Sequence, residues 1–393
     1  MTIPPPGVPE HPIVREIDRV SERLGLSERA AELDRNPSFP RQEFEALGTA
    51  RLLGLITERR WGGRALTLPV AGSALYRLAY LSGTTFAKLS LQPEFSSVLA
   101  GHGRPEIARR HFPPLVKGRH LIGNHITEPG AGSDAAALST RATRRGKEYV
   151  LNGTKSQAAF ADDADAAIVY AKVEGPATEP PGVSAFLVPQ ELPGIRRTIT
   201  GDMGERWMRR GTVEYREVRV PASHLIGEEG KAFGYLKGEL TRERALLAPI
   251  YLGVARASWE DTVRYVGERE AFGGPLSRQQ AVSFPLVEGW ARLEAATGYA
   301  FRTLERMALG ESVDAEAALS KWLATETSLG VIDLAIQFHG GRGYSNELPH
   351  ERRWRDVRSG AIAHGPSEIM HLIATRTLWP RKESPAGRPR PAR

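Results

Sequence analysis

The sequence predicts an α+β protein in which a small β domain sits between two helical layers, and three observations carry this. Apolar residues recur at helical spacing from Val14 to about His111. Between Leu121 and Val220 the texture changes to short β-branched runs separated by turn residues. After Gly230 the helical period returns and holds to about Leu378. Boundaries placed at these changes give a helical domain at 1–122, a β domain at 123–232 and a helical domain at 233–380. A basic, Pro-rich tail at 381–393 is expected to be disordered.

Each element follows in order. Ile17, Val20 and Leu24, then Phe44, Leu47, Leu52 and Leu53, keep the first apolar stripe, which Asn36-Pro37 and Trp61-Gly62-Gly63 interrupt. Strands are expected at 148–155, 166–173, 183–189 and 212–221, in a mostly antiparallel sheet, with GPATEPPG at 175–182 as a long hairpin loop. Long amphipathic helices are expected at 233–268, 279–309, 314–338 and 367–377, lengths that suit a bundle. No repeat of solenoid length is present.

Composition narrows the function classes. Hydrophobic residues make up 41% and charged residues 25%, ordinary values for a folded, enzyme-sized chain. No apolar run reaches the roughly 18–20 residues of a membrane span, the longest being stopped by Pro249 and Gly253. The first residues have no basic or apolar leader character, so no secretory signal is expected and the cytoplasm is the default. Zero Cys excludes disulfides, thiolate catalysis and iron–sulfur ligation. The net charge of +7 raises the question of nucleic acid, but Arg greatly outnumbers Lys and is interleaved with Asp and Glu along the chain. That pattern reads as a solvated surface, so no nucleic-acid partner is expected. His102, His111, His120 and His125 lack metal-site spacing, and no metal is expected.

The most informative string is TEPGAGSD at 127–134, where helices hand over to strands. Gly130, Ala131 and Gly132 allow backbone to approach a ligand, while Thr127, Ser133 and Asp134 place hydroxyl and carboxylate groups beside it. Further strings follow in order: YVLNGTK at 149–155, VRVPASHLIGEEGKAFGYL at 218–236, ERxxFG at 268–273, QxxGGxGY at 337–344 and GPSEIMHLIATR at 365–376. With these motifs the chain resembles the acyl-CoA dehydrogenase family from about His102 to Arg376. The resemblance implies a helical domain, a β domain and a C-terminal four-helix bundle, paired as a homodimer or homotetramer. It implies bound FAD held by Ile126, Thr127, Gly132, Ser133, Gln157, Ala159, Pro366 and Glu368. Arg269, Phe272 and Gln280 match positions that reach the FAD of a neighbouring subunit, and Gln337, Gly340 and Gly341 match the loop along its pyrophosphate and adenine side. Thr241, Arg244, Ala363 and Gly365 match positions on the substrate side.

The family's reaction removes an α-proton from an acyl thioester while the β-hydride leaves for flavin. So weak an acid needs a desolvated base and donors aimed at the developing enolate. Most members place that base as a Glu before the Gly of a C-terminal EGT motif, where this chain has His364. A second branch carries the Glu on the first long bundle helix, and Glu243 in LTRERALLA falls there, followed by Arg244. Leu236, Leu240, Glu243 and Leu247 share one helical face, so a carboxylate interrupts an apolar stripe, with Glu239 one turn before it. Glu243 reads either as the base or as a core-edge carboxylate paired with an Arg. His364 reads as a substitute at a vacated position, as a group that bonds or tunes the substrate, or as the base itself; in each case its backbone N–H remains available to an enolate oxygen.

Two further departures stand out. The family's flavin-covering segment, which ends in a hydroxyl for N5, is replaced by Gln157, Ala158 and Ala159. Either the Gln157 amide substitutes for that hydroxyl or N5 is left open. Trp207, Met208, Arg209 and Arg210 replace a Ser/Thr stretch, and the two Arg suit a phosphate of CoA or phosphopantetheine. The leading expectation is FAD-dependent α,β-dehydrogenation of an acyl-CoA or an acyl thioester on an acyl carrier protein, with a specialised, biosynthetic substrate and an electron-transfer flavoprotein as acceptor. The rivals are a flavin monooxygenase of the same fold and a redox-silent, thioester-binding paralogue.

Overall fold

The computed structural model describes residues 7–174 and 182–379. The expected disordered tail and all but Gly182 of the expected hairpin loop lie outside these residues. Among the described residues eight helices come first: α1 (Pro12–Leu24), α2 (Leu26–Arg35), α3 (Arg41–Thr49), α4 (Leu68–Ser82), α5 (Thr84–Ser90), α6 (Gln92–Phe95), α7 (Ser97–His102) and α8 (Pro105–Val116). Local chemistry explains their limits. The His11 ring accepts the Ile13 N–H at 3.2 Å, Pro12 opens α1, and Gly25 at φ 56 ends it.

Among the described residues the sheet has eight strands, β1 (Ile122–His125), β2 (Arg141–Arg145), β3 (Glu148–Ala158), β4 (Ala166–Glu174), β5 (Val183–Pro189), β6 (Ile195–Ile199), β7 (Gly211–Pro221) and β8 (Leu225–Ile226), in the order β6-β7-β3-β2-β4-β5-β8 with β1 off this path on β4. Most pairings are antiparallel, but β1 and β2 both run parallel to β4. They lie in tandem on one of its edges, β1 opposite Ala166 to Val169 and β2 opposite Lys172 to Glu174. Between them the chain leaves the sheet, and that excursion carries the TEPGAGSD loop. Alternation along β4 serves two cores: Ile168 and Tyr170 pack toward the helices, while Val169 and Ala171 belong to the core on the other face.

The C-terminal domain contains α9 (Ala232–Glu268), a short hairpin β9 (Glu270–Ala271) and β10 (Gly274–Pro275), then α10 (Gln280–Ala308), α11 (Asp314–His339), α12 (Gly341–Tyr344), α13 (His350–Arg358) and α14 (Ser367–Leu378). The four long helices match the expected segments to within a residue or two; α13 had no counterpart. Residues 245–257 of α9 are buried on every side, as expected of a helix that is apolar all round. One continuous core joins this bundle to the N-terminal helices. Where α9 crosses α4, a Cβ on Gly253 would meet the Tyr76 carbonyl oxygen at 2.2 Å. Gly253→Ala is therefore expected to destabilise the fold by about 1–3 kcal/mol, read as a lower denaturation midpoint. Among the described residues no helix is long and apolar enough to cross a membrane.

Candidate active site

The three domains enclose a cavity of about 530 Å³. Helices α5 to α7 contribute Lys88, Gln92, Phe95 and Val98. The β domain contributes Thr127, Ser133, Ser156 and Ala159 among others. The bundle contributes Leu236, Glu239, Glu243, Arg244 and the turn from Ile362 to Pro366.

A buried ion pair fixes the β-domain wall. Lys155, at the end of the YVLNGTK string, lies 2.7 Å from Glu128 in the TEPGAGSD loop and also donates to the Ile126 carbonyl at 3.0 Å. Glu128 further accepts the N–H groups of Ser139 at 2.5 Å and Thr140 at 3.0 Å. Burial opposes its charge, but these bonds prevail and hold the carboxyl down at about 2. Two strings that stand apart in the chain are thereby one structural unit. The loop glycines are left open, since a Cβ on Gly130 or Gly132 would meet nothing within 4 Å.

On the bundle wall, Glu243 is 6% exposed and lines the cavity. Its Oε2 lies 3.0 Å from His364 Nδ1. Arg244, beside it on α9, does not pair with Glu243 but donates from Nε to the His364 carbonyl at 3.0 Å. The reading of Glu243 as a carboxylate paired with an Arg is thus replaced by a Glu–His pair. His364 has φ 55 and Gly365 φ 92, a left-handed turn that directs the imidazole onto the carboxylate. Phe95 packs against the ring, centroids 5.2 Å apart.

Two more carboxyls stand nearby. Glu239 also lines the cavity, bonded by Arg242 at 2.5 Å and by the Ser97 hydroxyl, and burial pushes it above the ordinary carboxylate range. Glu94 accepts the Thr57 hydroxyl at 2.6 Å, and burial raises it to about 7. Glu243 is distinguished by position: it faces the cavity beside the His364 turn, and its Oε1 has no partner among the described residues.

The structure brings together Ile126, Thr127, Gly132, Ser133, Gln157, Ala159, Glu243, Arg244, Ala363, His364, Gly365 and Pro366 around this cavity. It does not bring Thr241 or Glu368 there. The Thr241 hydroxyl donates to Asp314 at 2.7 Å, and Glu368 is exposed on the first turn of α14. Arg209 and Arg210, read as phosphate ligands, are already paired: Arg209 with Asp162 and Asp163 at 2.9 and 3.0 Å, Arg210 with Asp202 at 2.9 Å. Arg269, Phe272, Gln280, Gln337, Gly340 and Gly341 lie outside the cavity wall on exposed surface. Sequence reasoning missed Phe95, Lys88 and Gln92, which come from short helices without a motif, and Tyr170, concealed in a strand apolar on both faces. Among the described residues no group of three His, Asp or Glu side chains is placed to hold a metal ion.

FAD suits this wall. Thr127, Ser133 and Ser156 supply hydroxyls, Ile126, Ala159, Phe160 and Met208 an apolar slot, and the open glycine loop a backbone surface. Ser156 is a hydroxyl that the sequence reading overlooked beside Gln157. Comparison with known proteins agrees. The models for the N-terminal, middle and C-terminal domains of acyl-CoA dehydrogenase match residues 14–119, 123–218 and 230–379. The chain is 34% identical to benzylmalonyl-CoA dehydrogenase of Aromatoleum aromaticum, over 90% of this chain and 93% of that one. It is 29% identical to 3-(aryl)acrylate reductase of Clostridium sporogenes, over 94% and 98%. The crystal structure of an acyl-CoA dehydrogenase from Geobacillus kaustophilus superposes with a TM-score of 0.88 at 28% identity, covering 94% of this chain and 98% of that one. On its cavity, its three ordered domains and these matches, the chain belongs to the acyl-CoA dehydrogenase family of FAD-dependent oxidoreductases.

Proposed function

We propose that this enzyme oxidises the Cα–Cβ bond of an acyl thioester, carried by CoA or an acyl carrier protein, with Glu243 as the base. The observation that carries the reading is the buried Glu243 carboxylate at the cavity wall, held through Oε2 by His364 and without a partner at Oε1 among the described residues. The His364 bond fixes the direction of the carboxylate and leaves its other oxygen toward the cavity. Bound FAD supplies the acceptor for the β-hydride. The chain itself binds and orients the thioester, takes its α-proton on Glu243 and meets the developing enolate oxygen with the His364 N–H. His364 acts as the partner of the base: its Nδ1 is committed to Glu243, leaving one carboxylate oxygen for chemistry. A 3-(aryl)acrylate reductase and a benzylmalonyl-CoA dehydrogenase among the relatives support a substituted, specialised acyl group.

The exposed ERxxFG hairpin supports a homodimer or homotetramer. Phe272 is 93% exposed at φ 52, a large apolar side chain that a second copy would cover. Electrons would leave through an electron-transfer flavoprotein. The test is anaerobic mixing of the yellow protein with acyl thioesters of different length and branching. Direct bleaching is expected. Bleaching only by reduced nicotinamide or a reductase, followed by oxygen consumption, would replace this reading with monooxygenation, and a colourless protein unable to take up FAD would replace it with thioester binding alone.

A further inference from the structure

The turn that carries His364 is held from behind. Lys321 on α11 is 1% exposed, and its Nζ donates to the carbonyls of Ala363 at 2.5 Å and Gly365 at 2.6 Å. Arg244 on α9 takes the carbonyl between them. Three consecutive carbonyls are thus bound by two basic side chains of the bundle. His364 needs such support, because a residue with a β-carbon disfavours its left-handed backbone.

A trans peptide sets the consequence. The Ala363 carbonyl and the His364 N–H belong to one planar unit and point in opposite directions, so tying the oxygen to Lys321 turns the N–H away from α11. That N–H has no acceptor among the described residues. A donor bound to a peptide oxygen also polarises the unit and strengthens its N–H as a donor. Burial, with the charges of Arg244 and Lys88, pushes the Lys321 ammonium down to about 7. Protonated or neutral, the amine keeps at least two N–H groups for its two carbonyls.

We infer that Lys321 is a positioning residue, which clamps the Ala363 and Gly365 carbonyls so that the His364 N–H is presented to the enolate oxygen and the imidazole to Glu243. This rests on the dehydrogenation reading and extends it to a side chain outside the cavity. The test uses the FAD-loaded full chain and two probes that share the pantetheine arm common to CoA and carrier proteins. S-acetoacetyl-pantetheine binds as an enolate with its own ultraviolet absorbance, whereas S-(2-butenoyl)-pantetheine, already oxidised at Cα–Cβ, binds uncharged.

Lys321→Met is expected to weaken enolate binding by about 100-fold, the scale of losing an oxyanion donor, while binding of the uncharged thioester changes by no more than about threefold. Lys321→Arg is expected to restore most of the difference. If the methionine variant does not accumulate, Lys321→Gln, which keeps two donors on a shorter stem, is expected to fall between. Equal effects on both probes, large or absent, would overturn the inference and leave Lys321 a structural residue. A wild-type protein that does not favour the enolate would instead remove the dehydrogenation reading, and this inference with it.

Discussion

Glu243→Gln is expected to fold, retain FAD and lose its bleaching by thioester by roughly 10²- to 10⁴-fold, the usual worth of a positioned general base. The substitution preserves shape and a bond to His364 Nδ1, so packing of α9 against the turn is unaffected. It removes only the capacity to hold a proton. His364→Ala is expected to cost less, because Glu243 stays at the cavity wall and the backbone N–H survives, although the carboxylate loses its fixed direction. Stopped-flow absorbance under nitrogen gives both values. If His364→Ala is the more damaging variant, the imidazole is the base and the roles assigned here are reversed.

Lys155→Met is expected to have the largest effect on stability. The substitution leaves Glu128 buried at 4% exposure without its cation, and breaking a buried pair from one side typically costs about 3–5 kcal/mol. Because Glu128 anchors the TEPGAGSD loop, which we propose faces the flavin, FAD content of the purified protein is expected to fall with it. The pH dependence has a definite sign. In the wild type Glu128 titrates at about 2, below its unfolded value of 4.5. The native state therefore binds fewer protons between these values, and the group's contribution is present above 4.5 and lost as pH falls toward 2. In the variant that contribution is gone, so the stability gap to wild type is expected to be widest at neutral pH and to narrow on acidification. Denaturation midpoints followed from pH 7 down through about pH 4.5 toward about pH 2 check this; a constant gap across that window would mean that Glu128 is not the charge left stranded.

The long helices of the bundle were legible because periodicity alone defines a helix buried on one or all sides, and α9, α10, α11 and α14 begin and end close to the expected residues. The strands were legible too, but their partners were not: nothing in the residues of β1 says that it shares an edge of β4 with β2. The same limit applies within the site. Thr127 and Ser133 stand in a recognisable loop, and Glu243 interrupts an apolar face, so both were visible as positions. The Lys155–Glu128 pair, the clamp from Lys321 and the contact of Phe95 with His364 join residues far apart in the chain, and only tertiary packing creates them. His364 shows the difference most clearly. As a letter in AHGPSE it allowed three roles; placed 3.0 Å from a buried carboxylate, it becomes the partner of that carboxylate.

Hydrogen exchange at C2 of the thioester isolates proton removal from electron transfer. In deuterium oxide, with FAD bound and no external electron acceptor, the wild-type protein and Lys321→Arg are predicted to wash deuterium into C2 of a saturated acyl thioester, whereas Glu243→Gln does so no faster than buffer. Exchange that persists in Glu243→Gln and vanishes in His364→Ala would contradict the assignment of the buried glutamate as the base.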